Sequence, residues 1–373
     1  MSSVPSLEFE STTTISSAKC RLSRQESSTA AALRVISTAD SGARVGAAKL
    51  LSRKIAAANS KWLSPTFKVL FVKTSSLGDV VHQLPAVSDA ARKLPGAEID
   101  WIVEQPFAGV AAMHAAVRRV IPVRLRHWRA RWWQRATWVE IADFRRAVRA
   151  ERYDAVVDTQ SLVKSALISA CALGTRHGMD AASAREPFAA RFYDQRHPIP
   201  RGLHAVERNR LLSAAALGYD LDTPPDYGLE VSPEASDEPP YAVFLTMTSR
   251  ADKLWPEERW IELGRALARR VVLPWGSEAE RARASRIARA LRQAEVPPRM
   301  SLEQLARLFA RASAVVGVDT GLTHLAAAVG ARTVGIYSGS DPALTGLYGS
   351  PNAKNIGTLG QAPSAPDVLR ELQ

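Results

Sequence analysis

Two strand–turn–helix segments, far apart in one chain, constrain its fold more than everything between them. The first reads Val69-Leu70-Phe71-Val72-Lys73-Thr74-Ser75-Ser76-Leu77-Gly78-Asp79-Val80, and the second ends Val318-Asp319-Thr320-Gly321-Leu322-Thr323-His324-Leu325. Each is an apolar, mostly β-branched run that breaks at small polar residues and a glycine, then resumes with helical spacing. That grammar places polar side chains and free backbone N–H groups at the mouth of a parallel sheet, where α/β folds bind ligands. Two such mouths imply two doubly wound domains facing across a cleft, one partner on each wall.

The length of 373 residues suits two domains. From Phe67 strands and helices alternate, as parallel sheets with helices on both faces require. Strands are expected at 68–72, 98–103, 119–123 and 154–158, with helices near 79–93, 106–116, 138–151, 161–172 and 203–217. After the proline- and acid-rich stretch 224–240, strands are expected at 241–246, 271–275, 314–318 and 333–337. Helices are expected there at 257–269, 278–293 and 321–329, and one opens at Ser301 as N-cap. The division is 1–66, 67–232 and 233–373. Residues 1–66 are rich in Ser, Ala and Thr, carry nine Lys/Arg against four Asp/Glu, and lack a sustained apolar period. They read as a disordered extension, set by an upstream start codon, on which function does not depend.

Composition excludes several classes. The only two cysteines, Cys20 and Cys171, have neither metal-ligand spacing nor a disulfide framework, which indicates a reducing compartment. No apolar run approaches the roughly 20 residues of a membrane span. The seven histidines form no metal motif, and no Gly-x-Gly-x-x-Gly follows a strand, so no metal or other cofactor is expected. The net charge of +12 is concentrated. Between Arg118 and Arg152 lie Arg119, Arg124, Arg126, Arg129, Arg131, Arg135, Arg145, Arg146 and Arg149. Trp128, Trp132, Trp133 and Trp138 are interleaved, and only Glu140, Asp143 and Glu151 oppose them. Such a stretch suits an anionic, lipid-linked partner. It also suits nucleic acid, or a solvated helix whose tryptophans pack inward.

Taken in order, several motifs resemble the lipopolysaccharide heptosyltransferases of GT-B fold. They are Lys73-Thr74-Ser75-Ser76-Leu77-Gly78-Asp79, Arg126-His127-Trp128-Arg129, His177-Gly178-Met179-Asp180, Ala184-Arg185-Glu186-Pro187, His204-Ala205-Val206-Glu207-Arg208, Asp252-Lys253-Leu254-Trp255-Pro256, Pro274-Trp275-Gly276 and Asp319-Thr320-Gly321-Leu322-Thr323-His324. The Lys-Thr-Ser-Ser opening and the Asp-Thr-Gly turn are similar to the branch that adds the first heptose to Kdo. The later branch typically carries Asn-Asp-Ser-Gly.

The resemblance implies an inverting glycosyltransferase. It would move heptose from ADP-L-glycero-β-D-manno-heptose to the inner Kdo of Kdo-lipid A at the cytoplasmic face of the inner membrane, without nucleic acid. The alternatives are a paralogue with another core acceptor, or a basic nucleic-acid-binding α/β protein. Asp79 is the implied catalytic base. On physical grounds an aspartate at a helix start is either an ionised base at a cleft mouth or only a cap. The implied donor contacts are Thr248, Ser249, Lys253, Glu280, Met300, Asp319, Thr320, Gly321, Leu322 and His324. Glu278 stands close enough to Glu280 to compete for the ribose role, and Asp319 could instead cap its helix. The implied acceptor contacts are Lys73, Arg126, Arg129, Arg185 and Arg208, where arginine forks pair carboxylate and phosphate.

Overall fold

The computed structural model describes residues 66–231 and 239–373. The expected extension therefore lies outside the described residues except Thr66, and so does most of the chain around the boundary expected at 232/233. Residues 66 to 373 form one compact unit.

Two sheets of six strands make up this unit. In the first half run β1 (Lys68–Val72), β2 (Glu98–Glu104), β3 (Val117–Val123), β4 (Arg152–Asp158), β5 (Leu173–Met179) and β6 (Gln195–His197), in spatial order β3-β2-β1-β4-β5-β6. The second half repeats the pattern with β7 (Tyr241–Leu245), β8 (Arg270–Val272), β9 (Ala294–Glu295), β10 (Ala314–Val318), β11 (Thr333–Ile336) and β12 (Ala353–Ile356), ordered β12-β11-β10-β7-β8-β9. All of these pairings are parallel. Each sheet reverses winding direction beside its first strand, between β1 and β4 and between β7 and β10. Ligands bind in the crevice at such switch points.

The central strands are continuous apolar runs because helices cover both faces. Val69, Leu70, Phe71 and Val72 are wholly buried, as are Val315, Val316 and Val318. One apolar cluster runs beneath both lobes, joining Val110 and Ala111 of the first to Leu305, Ala306 and Phe309 of the second. At the cleft, the helix Leu77–Val81 meets the helix Gly321–Ala328. A β-carbon on Gly321 would fall 2.5 Å from Leu77 Cβ and 2.8 Å from the Gly78 nitrogen. Only glycine permits this approach, which brings the two motif turns to face each other.

The structure departs from the expected elements in several places, and the helix expected near 106–116 is only the short Ala108–Ala112. The helix expected near 79–93 is two helices, Leu77–Val81 and Leu84–Lys93, because Pro85 opens the second as an N-terminal proline. Strands β5, β6, β9 and β12 were not foreseen. The Arg-Trp stretch contains a short helix, Leu125–Ala130, before Arg135–Arg149. A last helix, Ala365–Glu371, buries Val368 beside Trp255 and Trp260.

Candidate active site

The loop after β1 is built from the interior outward. Lys73, at the strand tip, is buried and donates to the Thr159 carbonyl at 2.9 Å and to Asn209 Oδ1 at 3.2 Å. Burial lowers its pKa to about 8, against the partial support of the Asp79 charge. Gln160, just beyond β4, holds the loop. Its Oε1 accepts from the Thr74 N–H at 2.8 Å and the Ser75 N–H at 3.2 Å, and its Nε2 donates to the Ser75 carbonyl.

This bracing fixes Asp79 at the third position of its helix. Asp79 Oδ2 accepts from the Ser76 N–H at 2.8 Å and the Ser76 hydroxyl at 3.2 Å, completing a capping box. Asp79 Oδ1 lies 3.3 Å from Arg185 Nη1. The cap and the base are therefore compatible: one oxygen caps, and the other faces the cleft.

Across the cleft, Thr320 and not Asp319 is the N-cap of Gly321–Ala328, and no side chain caps that helix. Asp319 Oδ2 instead accepts from Lys253 Nζ and the Ser340 hydroxyl, while Oδ1 lies 3.6 Å from His324 Nε2. Burial works against its charge, but the hydrogen bonds from His324, Lys253 and Ser340 outweigh that and hold its carboxyl well below the usual carboxylate range. Asp319 thus anchors Lys253 rather than receiving an anion itself. The Thr248 hydroxyl donates to the Asp319 carbonyl at 3.0 Å, tying the loop after β7 to the turn after β10. His324 Nδ1 lies 3.3 Å from His82 Nε2 of the other lobe. Burial, with the adjacent His324 and His204 rings, keeps His82 well below the usual imidazole range, so it is neutral.

Two cavities occupy the cleft. The larger is about 680 Å³, within the roughly 300–1,000 Å³ of small-molecule sites. It is bordered by Thr248, Ser249, Lys253 and Glu280, by Asp319, Thr320, Gly321, Leu322 and His324, and by Arg126 of the first lobe. Glu280 Oε2 accepts from the Gly276 N–H at 2.6 Å, whereas Glu278 lies outside the cavity and pairs with Arg281. Met300 is partly buried against the apolar core and does not border the cavity.

The smaller cavity, about 270 Å³, is bordered by Lys73, Arg185, Arg201 and Arg208. Among the described residues only Arg185 of these four reaches a carboxylate, that of Asp79. Arg208 donates to the Ser183 carbonyl at 2.6 Å, and its Nε is buried without a partner. Asp79, Arg185 and Thr345 border both cavities. Arg129 is exposed and borders neither. Sequence reasoning missed Gln160, Asn209, Arg201 and Thr345. The junction of β4 with its helix was the available signal for Gln160, since it is a third strand tip at the same switch point.

Of the four tryptophans in the basic stretch, only Trp128 packs inward, donating to Glu140 at 2.9 Å. Trp132, Trp133 and Trp138 are 64%, 65% and 58% exposed, which rules out inward packing for these three.

Comparison with known proteins bears on the family and the fold. A sequence profile for glycosyltransferase family 9 (heptosyltransferase) matches residues 141–371. Lipopolysaccharide heptosyltransferase 1 of Escherichia coli K12 is 49% identical over 290 residues, which is 76% of this chain and 91% of that protein. The solved E. coli heptosyltransferase WaaC with ADP is similar at a TM-score of 0.77 and 46% identity, covering 82% of this chain and 98% of that one. WaaC with ADP-2-deoxy-2-fluoro heptose is similar at 0.74 and 45%, over the same shares.

Proposed function

This chain belongs to glycosyltransferase family 9, the heptosyltransferases, and from that membership we propose a specific reaction. It moves L-glycero-D-manno-heptose from ADP-heptose to the inner Kdo of Kdo-lipid A, in lipopolysaccharide core assembly. One observation carries the reading: Asp79 stands where the two cavities meet. The larger cavity takes the nucleotide-sugar and the smaller one the acidic acceptor.

Asp79 Oδ1 accepts the proton of the attacking hydroxyl, which closes on the anomeric carbon from the side opposite ADP and inverts it. Negative charge then grows on the departing diphosphate. Lys253, held by Asp319, and the uncapped N-terminus of Gly321–Ala328 stabilise it as preorganised donors. Glu280 is suited to the ribose hydroxyls, since a carboxylate accepts two hydrogen bonds. Lys73, Arg185 and Arg208 hold the acceptor carboxylate.

The acyl chains of such an acceptor keep it in a bilayer, so the enzyme works at the cytoplasmic membrane surface as a peripheral protein. No helix among the described residues is long and apolar enough to cross a membrane. The exposed Trp132, Trp133 and Trp138, flanked by exposed Arg129, Arg131 and Arg135, form the surface suited to anionic headgroups. Each cation there contributes roughly 1 kcal/mol, and tryptophan favours the interfacial layer.

One assay tests both parts. ADP release from ADP-heptose is followed with Kdo-lipid A in anionic vesicles, in neutral vesicles, and with a lipid acceptor already carrying the first heptose. Release is expected with Kdo-lipid A only, faster on anionic vesicles, with that advantage fading as salt rises. Release with the heptosylated acceptor alone overturns the acceptor. Equal rates on both vesicle types overturn the membrane surface.

A further inference from the structure

The smaller cavity also has an apolar lining that the proposed reaction does not use. Besides its cations, it is bordered by Leu203, Leu344 and Met179. Leu203 lies in the turn before the helix Ala205–Leu217 of the first lobe, and Leu344 in the short helix Pro342–Thr345 of the second. Both leucines are exposed, at 38% and 41%. A single exposed leucine is ordinary on a protein surface. Two of them, from different lobes, bordering one cavity with four cations are not explained by packing.

The segment carrying Leu344 is held at both ends. Upstream, the Ser340 hydroxyl donates to Asp319, the residue that anchors Lys253. Downstream, His204 Nε2 donates to the Gly346 carbonyl at 3.1 Å, and its ring stacks on Tyr348 with centroids 4.3 Å apart. The Tyr227 hydroxyl donates to the Tyr348 carbonyl at 2.7 Å. Asn355 brackets Leu347 with two 2.9 Å bonds. Leu344 is thus presented by a braced turn that grips the first lobe.

We propose that Leu344, a residue of the donor lobe, is an acceptor-binding residue: with Leu203 it forms an apolar clamp over the C–H face of the acceptor sugar ring. This rests on the acidic-sugar acceptor proposed above. A sugar acid offers a carboxylate on one edge and an apolar C–H face on the ring, matching the cations and the exposed leucines that line this cavity. Because the clamp needs one leucine from each lobe, the acceptor is seated firmly only when the lobes meet.

The test compares the unaltered enzyme with Leu344→Ser, Leu203→Ser and Leu344→Met, and with Leu359→Ser, an exposed leucine elsewhere on the second lobe. Acceptor KM is read from ADP release with Kdo-lipid A, and ADP affinity by calorimetry, which also reports that each variant is folded. Each serine variant is expected to raise acceptor KM roughly tenfold with ADP affinity unchanged, Leu344→Met to raise it less than Leu344→Ser, and Leu359→Ser to behave as the unaltered enzyme. Should Leu344→Ser fail to fold, Leu203→Ser reads the same clamp from the other lobe. Unchanged acceptor KM in both serine variants overturns the clamp alone. A KM that rises only in step with lost ADP affinity also overturns it, since the lobes would then have shifted. Failure of the unaltered enzyme to use Kdo-lipid A overturns the acceptor assignment, and the clamp with it.

Discussion

At the scale of single residues, Lys73 is the sharpest case of a side chain whose surroundings set its chemistry. It is buried at a strand tip, bonded to Thr159 and Asn209, and has a pKa of about 8. In the free enzyme its charge is therefore present below about pH 8 and lost above. If that charge captures the acceptor carboxylate, kcat/KM for the acceptor falls as pH rises through about 8, because kcat/KM follows the free enzyme. Stability responds with the opposite sign. A folded-state pKa below the unfolded value near 10.5 means the protonated lysine opposes folding. That cost is full below about pH 8 and relieved as pH climbs toward 10.5. A pH profile of kcat/KM for Lys73→Met should have a low plateau without the falling limb near pH 8. A limb that survives in Lys73→Met belongs to another group. Residues at strand tips were legible as site candidates in the sequence, because an apolar run ending in polar residues has one structural meaning. Asp319 was legible in place but not in use: its partners Lys253 and Ser340 lie 66 and 21 residues away, and no local spacing reports such contacts.

At the scale of elements, the two facing helices decide whether the cleft works. Gly78 and Gly321 sit at their contact, but the space around them differs. A β-carbon on Gly78 would meet the His324 ring at 3.3 Å, a contact the side chain can relieve. On Gly321 it would meet backbone at 2.8 Å, which cannot move without separating the lobes. Gly321→Ala is thus expected to lower kcat about 100-fold through misplacement of the reacting groups, and Gly78→Ala far less. Steady-state kinetics of the two variants check this, and equal kcat values would show that the helices do not set the lobe spacing. Most central strands were legible because burial on both faces makes them continuous apolar runs. Strands β5 and β12 were not, since Leu173–Met179 carries two glycines, an arginine and a histidine, and Ala353–Ile356 contains Lys354 and Asn355. Strand β12 is an edge with little apolar signal, and β5 lies next to the edge, paired on its outer side only with the three-residue β6. The helix Leu84–Lys93 hid inside a longer helical pattern because only Pro85 marks its start.

At the scale of the whole molecule, two copies of one strand order place two switch points opposite each other, and Asp79 falls between their cavities. The two-lobed architecture was legible because each lobe announces itself by one motif at its own switch point. The smaller cavity was not, since Arg201, Asn209 and Leu344 meet only after the chain has folded. The most direct measurement replaces Asp79 by Asn, which keeps the shape and the Ser76 cap but removes the base. Single-turnover transfer and ADP calorimetry are compared with those of the unaltered enzyme. Transfer is expected to slow about 10²–10⁴-fold with ADP affinity unchanged. Near-normal transfer in Asp79→Asn would contradict the placement of the base, and leave Asp79 as a helix cap alone.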